Sequence, residues 1–186
     1  EIVELKTSQC LAALQERSID MAIIASAPEV EGMQYRLLFY EEFLGYVSRN
    51  EKIYCSSVVR SSEVDASRLW LLDEGHCFRD QLVKFCQLKE AKQSQKAYSL
   101  GSIETFMRIV ENGKGITFIP ELAIFQLADS QKELVRPFAI PIPTRDIVII
   151  NNKNFVRHTI RQLLIDSIQK AVPADMLKLK QIQQRV

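Results

Sequence analysis

The sequence predicts an α/β fold of two lobes, each mostly parallel sheet with flanking helices, joined by two crossing strands. Three observations carry this. Short apolar runs of strand length (Met21 to Ile24, Leu69 to Leu72, Ile116 to Ile119, Asp146 to Ile150) alternate with stretches whose apolar residues recur at three and four. Several of these runs are apolar at nearly every position, as strands buried on both faces are. Two further segments, Met33 to Ser48 and Val135 to Ile142, read as crossings from one lobe to the other.

Composition bounds what such a fold can do. A chain of 186 residues with 47% apolar content can bury a real core. Lys plus Arg at 24 against Asp plus Glu at 23 leaves a net charge of +1, which gives this chain no electrostatic footprint for nucleic acid. No segment approaches the roughly 20 apolar residues of a membrane span, and no signal-peptide pattern is present, so a cytoplasmic protein is expected. Four irregularly spaced cysteines do not describe a secreted disulfide scaffold. Two histidines among them have no metal-site spacing, and no Walker or dinucleotide loop occurs, so neither metal nor cofactor is expected.

Taken in order, EIVELK reads as a strand, and a chain that opens on a strand without methionine is expected to be a fragment of a longer polypeptide. Gln9 to Glu16 reads as a helix with Cys10, Leu11 and Leu14 inward, and Met21 to Ile24 as a buried parallel-type strand. Loops at the carboxyl ends of strands in such a crossover unit collect ligands and reactive groups. Thr7 lies in one, but from its position alone it reads first as the N-cap of the helix that follows. Met33 to Ser48 carries the acidic pair Glu41 and Glu42 and is the expected first hinge. Lys52 to Ala66 is polar and irregular, with a turn of helix over Glu63 to Arg68 and an incidental Cys55.

After the strand Leu69 to Leu72, Asp73, Glu74 and Gly75 turn the chain, and a helix begins with the stripe Phe78, Leu82, Phe85 and Cys86. Ala97 to Leu100 is weakly strand-like. Gly101 and Ser102 open a helix to Asn112 with Ile103, Phe106, Met107 and Val110 inward; Ser102 is its N-cap and, secondarily, a ligand contact. Pro120 starts a helix to about Leu127. Val156 to Val172 is an amphipathic helix with Ile160, Leu163, Leu164 and Ile168 inward, and the tail 173–186 is expected to pack loosely. The expected lobes are residues 1–43 with 143–172, and residues 44–142.

The chemistry concentrates at Cys77. It sits where a helix begins, beside unpaired backbone N–H groups, the positive dipole end, His76 and Arg79, all of which favour thiolate. Cys86 follows nine residues on. An intact helix would hold the two Cα atoms about 13 Å apart, against the roughly 4 to 7 Å that a disulfide tolerates. Were the two to be bridged, the helix would have to unwind. From spacing alone Cys86 reads first as a small core residue, while reactive and structural readings of Cys77 stand level.

GHCFRDQ followed by FC at this spacing resembles the sensing segment of the peroxide-responsive LysR-type transcription regulators. Thr7 in ELKTSQCL, Asp20 in SIDMAIIA, Ser102 in GSIETFMRIVENGKGITFIP and Arg145 in PTRDIVII fall where that regulatory domain has similar residues. The resemblance implies a periplasmic-binding-protein-like regulatory domain and not an enzyme, with Cys77 the peroxide-reactive cysteine and Cys86 the resolving one. It implies hydrogen peroxide as signal, a homodimer or tetramer, and DNA contact only through an N-terminal winged helix-turn-helix that this sequence lacks. The family's first lobe also has an earlier strand and helix not found here. Lowering a thiol pKa by about 2 units takes about 2.7 kcal/mol and raises the thiolate fraction only about thirtyfold, so donors must also help hydroxide leave. Thr7, His76 and Asp80 are the candidates for holding peroxide or relaying its proton, with Arg145 or protonated His76 assisting the thiolate. Two other readings stay open: a LysR-type domain that binds a small organic effector between its lobes, and a thiol peroxidase.

Overall fold

A computed structural model describes residues 1–26, 29–71, 77–87 and 102–186; of Cys77 it describes the backbone. In chain order the elements are α1 (Thr7–Gln15), β1 (Met21–Ala25), β2 (Met33–Val47), β3 (Leu69–Trp70), α2 (Cys77–Phe85), α3 (Ile103–Glu111), β4 (Ile116–Pro120), α4 (Asp129–Lys132), β5 (Val135–Pro137), β6 (Ile142–Asn152), α5 (His158–Ala171) and β7 (Gln183–Arg185). They divide into two units: Glu1–Tyr40 with Arg145–Lys180, and Glu41–Thr144 with Gln181–Val186. No described helix is long and apolar enough to cross a membrane.

In the first unit, α1 lays Cys10 and Leu14 against Ala22, Ile24, Val148 and Ile150. β1 is antiparallel to β6, Met21 facing Asn151 and Ala25 facing Ile147. Its burial alternates: Ala22 and Ile24 are buried while Ile23 is 50% exposed. The apolar run therefore marks a strand covered on one face, not the doubly buried parallel strand expected from it. EIVELK forms no strand either, and all six residues are exposed. Helix α5 buries only Ile165 among its residues, with Leu164 and Ile168 partly covered, whereas Ile160 and Leu163 point outward at 54% and 61% exposure. The expected stripe was rotated because a polar residue shares the inner face: Arg161 donates to Gln34 Oε1 at 2.8 Å and Asn151 Oδ1 at 3.1 Å.

The second unit is a mixed sheet. β2 is antiparallel to β4 and β5, β3 is parallel to β4, and β7 is parallel to the start of β6. The α/β class holds, but these directions are less parallel than the apolar runs suggested, because strands that reverse within a unit pair head to tail. Core lies on both faces. Phe43, Val47, Ile116 and Phe118 meet α2, while Leu44, Tyr46 and Ile119 meet Met107 and Val110 of α3. That is the period-two alternation of a strand read on a sheet covered twice. On the α3 side, Tyr46 is fully buried and its hydroxyl donates to Glu111 Oε1 at 2.9 Å. Burial pushes the Glu111 carboxyl up, but hydrogen bonds from Gln131, Arg108 and Tyr46 bring it below its ordinary value.

Three further expectations change. Pro120 closes β4, and Glu121–Gln126 is a 3₁₀ turn rather than an α-helix; Glu42 N donates to Glu121 Oε2 at 3.0 Å and Leu122 N to Glu41 Oε1 at 3.3 Å, tying it down. The return crossing is β6 itself, which runs unbroken over Ile142–Asn152, while Val135–Pro137 is a separate short strand on β2. The tail is ordered: Met176 is 2% exposed and β7 pairs with Ile142, Pro143 and Thr144. Gly115 shows why its motif needs glycine. At φ +73 an added Cβ would lie 2.7 Å from Trp70 Nε1 and collide with the Arg68 carbonyl.

Candidate functional site

Helix α2 opens on Cys77, with Cys86 directly after its last residue, and its own residues explain it. Phe78, Leu82 and Cys86 recur every four positions and are 8%, 0% and 7% exposed. They enter the core with Phe43, Ile116 and Phe118. The Phe78 ring lies 4.9 Å from that of Phe43, and Phe85 meets Phe138 edge-on at 5.8 Å. Asp80 in the first turn and Lys84 in the last complement the helix dipole. The Cys86 amide still donates to the Leu82 carbonyl at 2.9 Å, so the ladder reaches the second cysteine.

Gln87 ends the helix at φ 51, its amide donating to the Lys84 carbonyl at 3.2 Å. A side chain held in this left-handed region costs about 1 to 2 kcal/mol, which glycine would avoid. The segment thus closes on a strained residue.

A helix that starts at Cys77 and carries its hydrogen bonds to Cys86 keeps their Cα atoms about 13 Å apart, beyond the reach of a disulfide. Cys86 is a free thiol, and burial pushes its pKa up to about 12. At pH 7 that leaves about one thiolate in 10⁵. In this fold Cys86 is a core residue, as its spacing first suggested.

The remaining candidates fall as follows. Asp80 is exposed on α2, one turn beyond Cys77. His76 and the Cys77 side chain lie outside the described residues, as do the turn at Asp73, Glu74 and Gly75 and the weak strand Ala97 to Leu100. Ser102 is the N-cap of α3, accepting from the Thr105 amide at 3.2 Å. Its neighbour Ile103 packs on the cluster that holds Phe78, Leu82 and Cys86. Thr7 is not an N-cap: Lys6 holds that position, its amide donating to Gln9 Oε1 at 2.9 Å, and Thr7 is the partly buried first residue of α1. Arg145 lies on β6 in the first unit. One element therefore brings together Cys77, Asp80 and Cys86, Ser102 shares their unit, and Thr7 and Arg145 belong to the other. Of the other cysteines, Cys10 is buried and donates to the Leu5 carbonyl at 3.8 Å, and Cys55 is exposed. Among the described residues no group of His, Cys, Asp and Glu could hold a metal ion.

Sequence reading passed over Gln81. It is 9% exposed, and its Nε2 donates to the Val186 carbonyl at 3.2 Å. The signal was available: Gln81 stands three residues after Phe78 and so falls inside the apolar stripe.

Comparison with known proteins gives the following. Residues 1–173 match the LysR substrate binding domain family. The chain is 30% identical over 149 residues to the hydrogen peroxide-inducible genes activator of Haemophilus influenzae, covering 80% of this chain and 49% of that protein. It thus spans about half the length of the curated relatives it matches. The crystal structure of OxyR from Porphyromonas gingivalis is similar with a TM-score of 0.92 and 55% identity, covering 100% of this chain and 84% of that one. That of reduced OxyR from the same organism has a TM-score of 0.90 and 53% identity, covering 99% and 84%.

Proposed function

Because the chain belongs to the LysR substrate-binding domain family, within its OxyR group, we propose that it is the regulatory domain of a hydrogen peroxide-sensing transcriptional regulator, switched by a Cys77–Cys86 disulfide. One observation carries the reading. The backbone of Cys77 opens a single helix whose hydrogen bonds run through to Cys86, so joining the two cysteines requires that helix to come apart. The similarity to a protein with a named reduced form supports a redox role.

The steps balance. The Cys77 thiolate attacks one peroxide oxygen, the O–O bond breaks, hydroxide leaves and is protonated to water, and Cys77 becomes a sulfenic acid. Cys86 then attacks that sulfur, the S–S bond forms and a second water leaves. Buried in the core, Cys86 is a poor nucleophile; release to solvent would return its pKa to near the ordinary value, raising its thiolate fraction about a thousandfold. Local unwinding of α2 therefore precedes bridging. Thr7, His76, Asp80, Arg145 and Ser102 are the residues proposed to hold peroxide, relay its proton or favour the Cys77 thiolate. DNA contact is assigned to an N-terminal winged helix-turn-helix outside this chain, and the regulator to a homodimer or tetramer.

Mass spectrometry after one equivalent of peroxide tests this. The wild-type chain should lose two hydrogens and yield one peptide pair linking positions 77 and 86, while Cys86→Ser should stop at a trappable sulfenic acid. A Cys77→Ser protein that still bridges Cys86 would reject the assignment.

A further inference from the structure

The core that receives α2 also receives Val186, which packs against the cluster of Phe78, Leu82 and Cys86. Val186 follows β7, which runs parallel to Ile142–Thr144 of β6. Its amide donates to the Thr144 carbonyl at 3.1 Å, and the Ile142 amide donates to the Ile182 carbonyl at 2.8 Å. Gln183 Nε2 adds a hydrogen bond to Glu42 Oε1 at 2.6 Å. The side chain reaching Val186 from α2 is Gln81, whose Nε2 donates to the Val186 carbonyl at 3.2 Å.

Gln81 is an odd residue for that position. It is 9% exposed, and its Oε1 meets no donor among the described residues. A buried amide with its acceptor unmet is a cost to the folded state. What it gains there is the contact with Val186. Gln81 also lies between the two cysteines, four residues after Cys77 and five before Cys86.

We propose that β7 is a redox-gated latch: Gln81 and the Phe78, Leu82 and Cys86 face of α2 hold Val186 and β7 against β6, and closing the Cys77–Cys86 disulfide releases them. This rests on the disulfide reading above. In the same balanced reaction two thiols are oxidised to one disulfide and peroxide is reduced to two waters, with no other reagent needed. Gln81 sits inside the loop that the bridge closes, so it cannot keep its place when α2 unwinds. Once freed, its Oε1 finds donors in water, which offsets part of the cost of unwinding. Release of β7 uncovers the backbone edge of Ile142–Thr144.

Amide hydrogen exchange of the full chain tests the latch, with the disulfide content of each sample read by intact mass. After one equivalent of peroxide, residues 181–186 of the bridged protein should exchange at least about tenfold faster than in the reduced protein, as the strand opens locally. Cys86→Ser, which cannot bridge, should keep them slow. In the reduced state Gln81→Leu, with Gln81→Met as a second variant, should speed exchange at Val186 about fivefold, the factor of one neutral hydrogen bond. A sample that consumes peroxide without forming the bridge overturns switch and latch together. A bridged protein whose 181–186 segment stays protected, or reduced Gln81 variants with unchanged exchange, overturns the latch alone.

Discussion

At the scale of single residues, the informative thiol is Cys86. Burial raises its pKa to about 12, whereas in an unfolded chain it would ionise near its ordinary value of about 8.5. Below the lower value both states hold the proton and the thiol contributes no pH dependence. Between the two the unfolded state binds fewer protons than the folded one, so stability falls as pH rises, by about 1.4 kcal/mol per pH unit for this group. By pH 11 the loss should reach about 3 kcal/mol. Urea midpoints of the wild type and Cys86→Ala, measured from pH 8 to 11, should converge as the wild type declines more steeply. Parallel lines would show that this thiol is not held neutral by the fold. Asp80 and Ser102 stand differently: one is exposed and the other already serves α3 as its cap, so replacing Ser102 would disturb the helix as well as any ligand contact.

At the scale of elements, α2 balances a well-packed face against a poor ending. Phe78, Leu82 and Cys86 anchor it in the core, yet it closes on Gln87 at φ 51 and carries Gln81, whose acceptor meets no donor among the described residues. Gln87→Gly removes the left-handed strain and should stabilise the reduced helix by about 1 kcal/mol, slowing the step from sulfenic acid to disulfide about fivefold. Quenched-flow alkylation followed by peptide mapping would read that rate. An unchanged or faster rate would mean that the end of α2 does not limit the opening. By contrast α3, capped by Ser102 and closed by Asn112 and Gly113, has a regular ending and no comparable reason to open.

At the scale of the whole molecule, α2 belongs to one unit. Its side chains join the cluster of Phe43, Ile116 and Phe118, while Cys10, Leu14, Ile24 and Ile150 form a separate core. Oxidation should therefore loosen the second unit selectively. Peptides from α2 and from the strands bearing Phe43 and Phe118 are expected to exchange faster after bridging, whereas α1 and β1 keep their protection. Equal loss in both units would show that the disulfide acts on the fold globally.

The sequence by itself determined the α/β class, the order of most elements, and the two thiols on one apolar helix, because periods of two and of three to four report which faces are covered. It also placed Ser102 as a cap, since a cap depends on a few neighbouring residues. Only the tertiary structure decided the rest. Which way strands pair, which side of α5 faces in around Arg161, and whether the tail docks all depend on partners distant in sequence. The place of Gln81 in the apolar stripe foretells its burial but not its partner, since the Val186 carbonyl it meets arrives from 105 positions away.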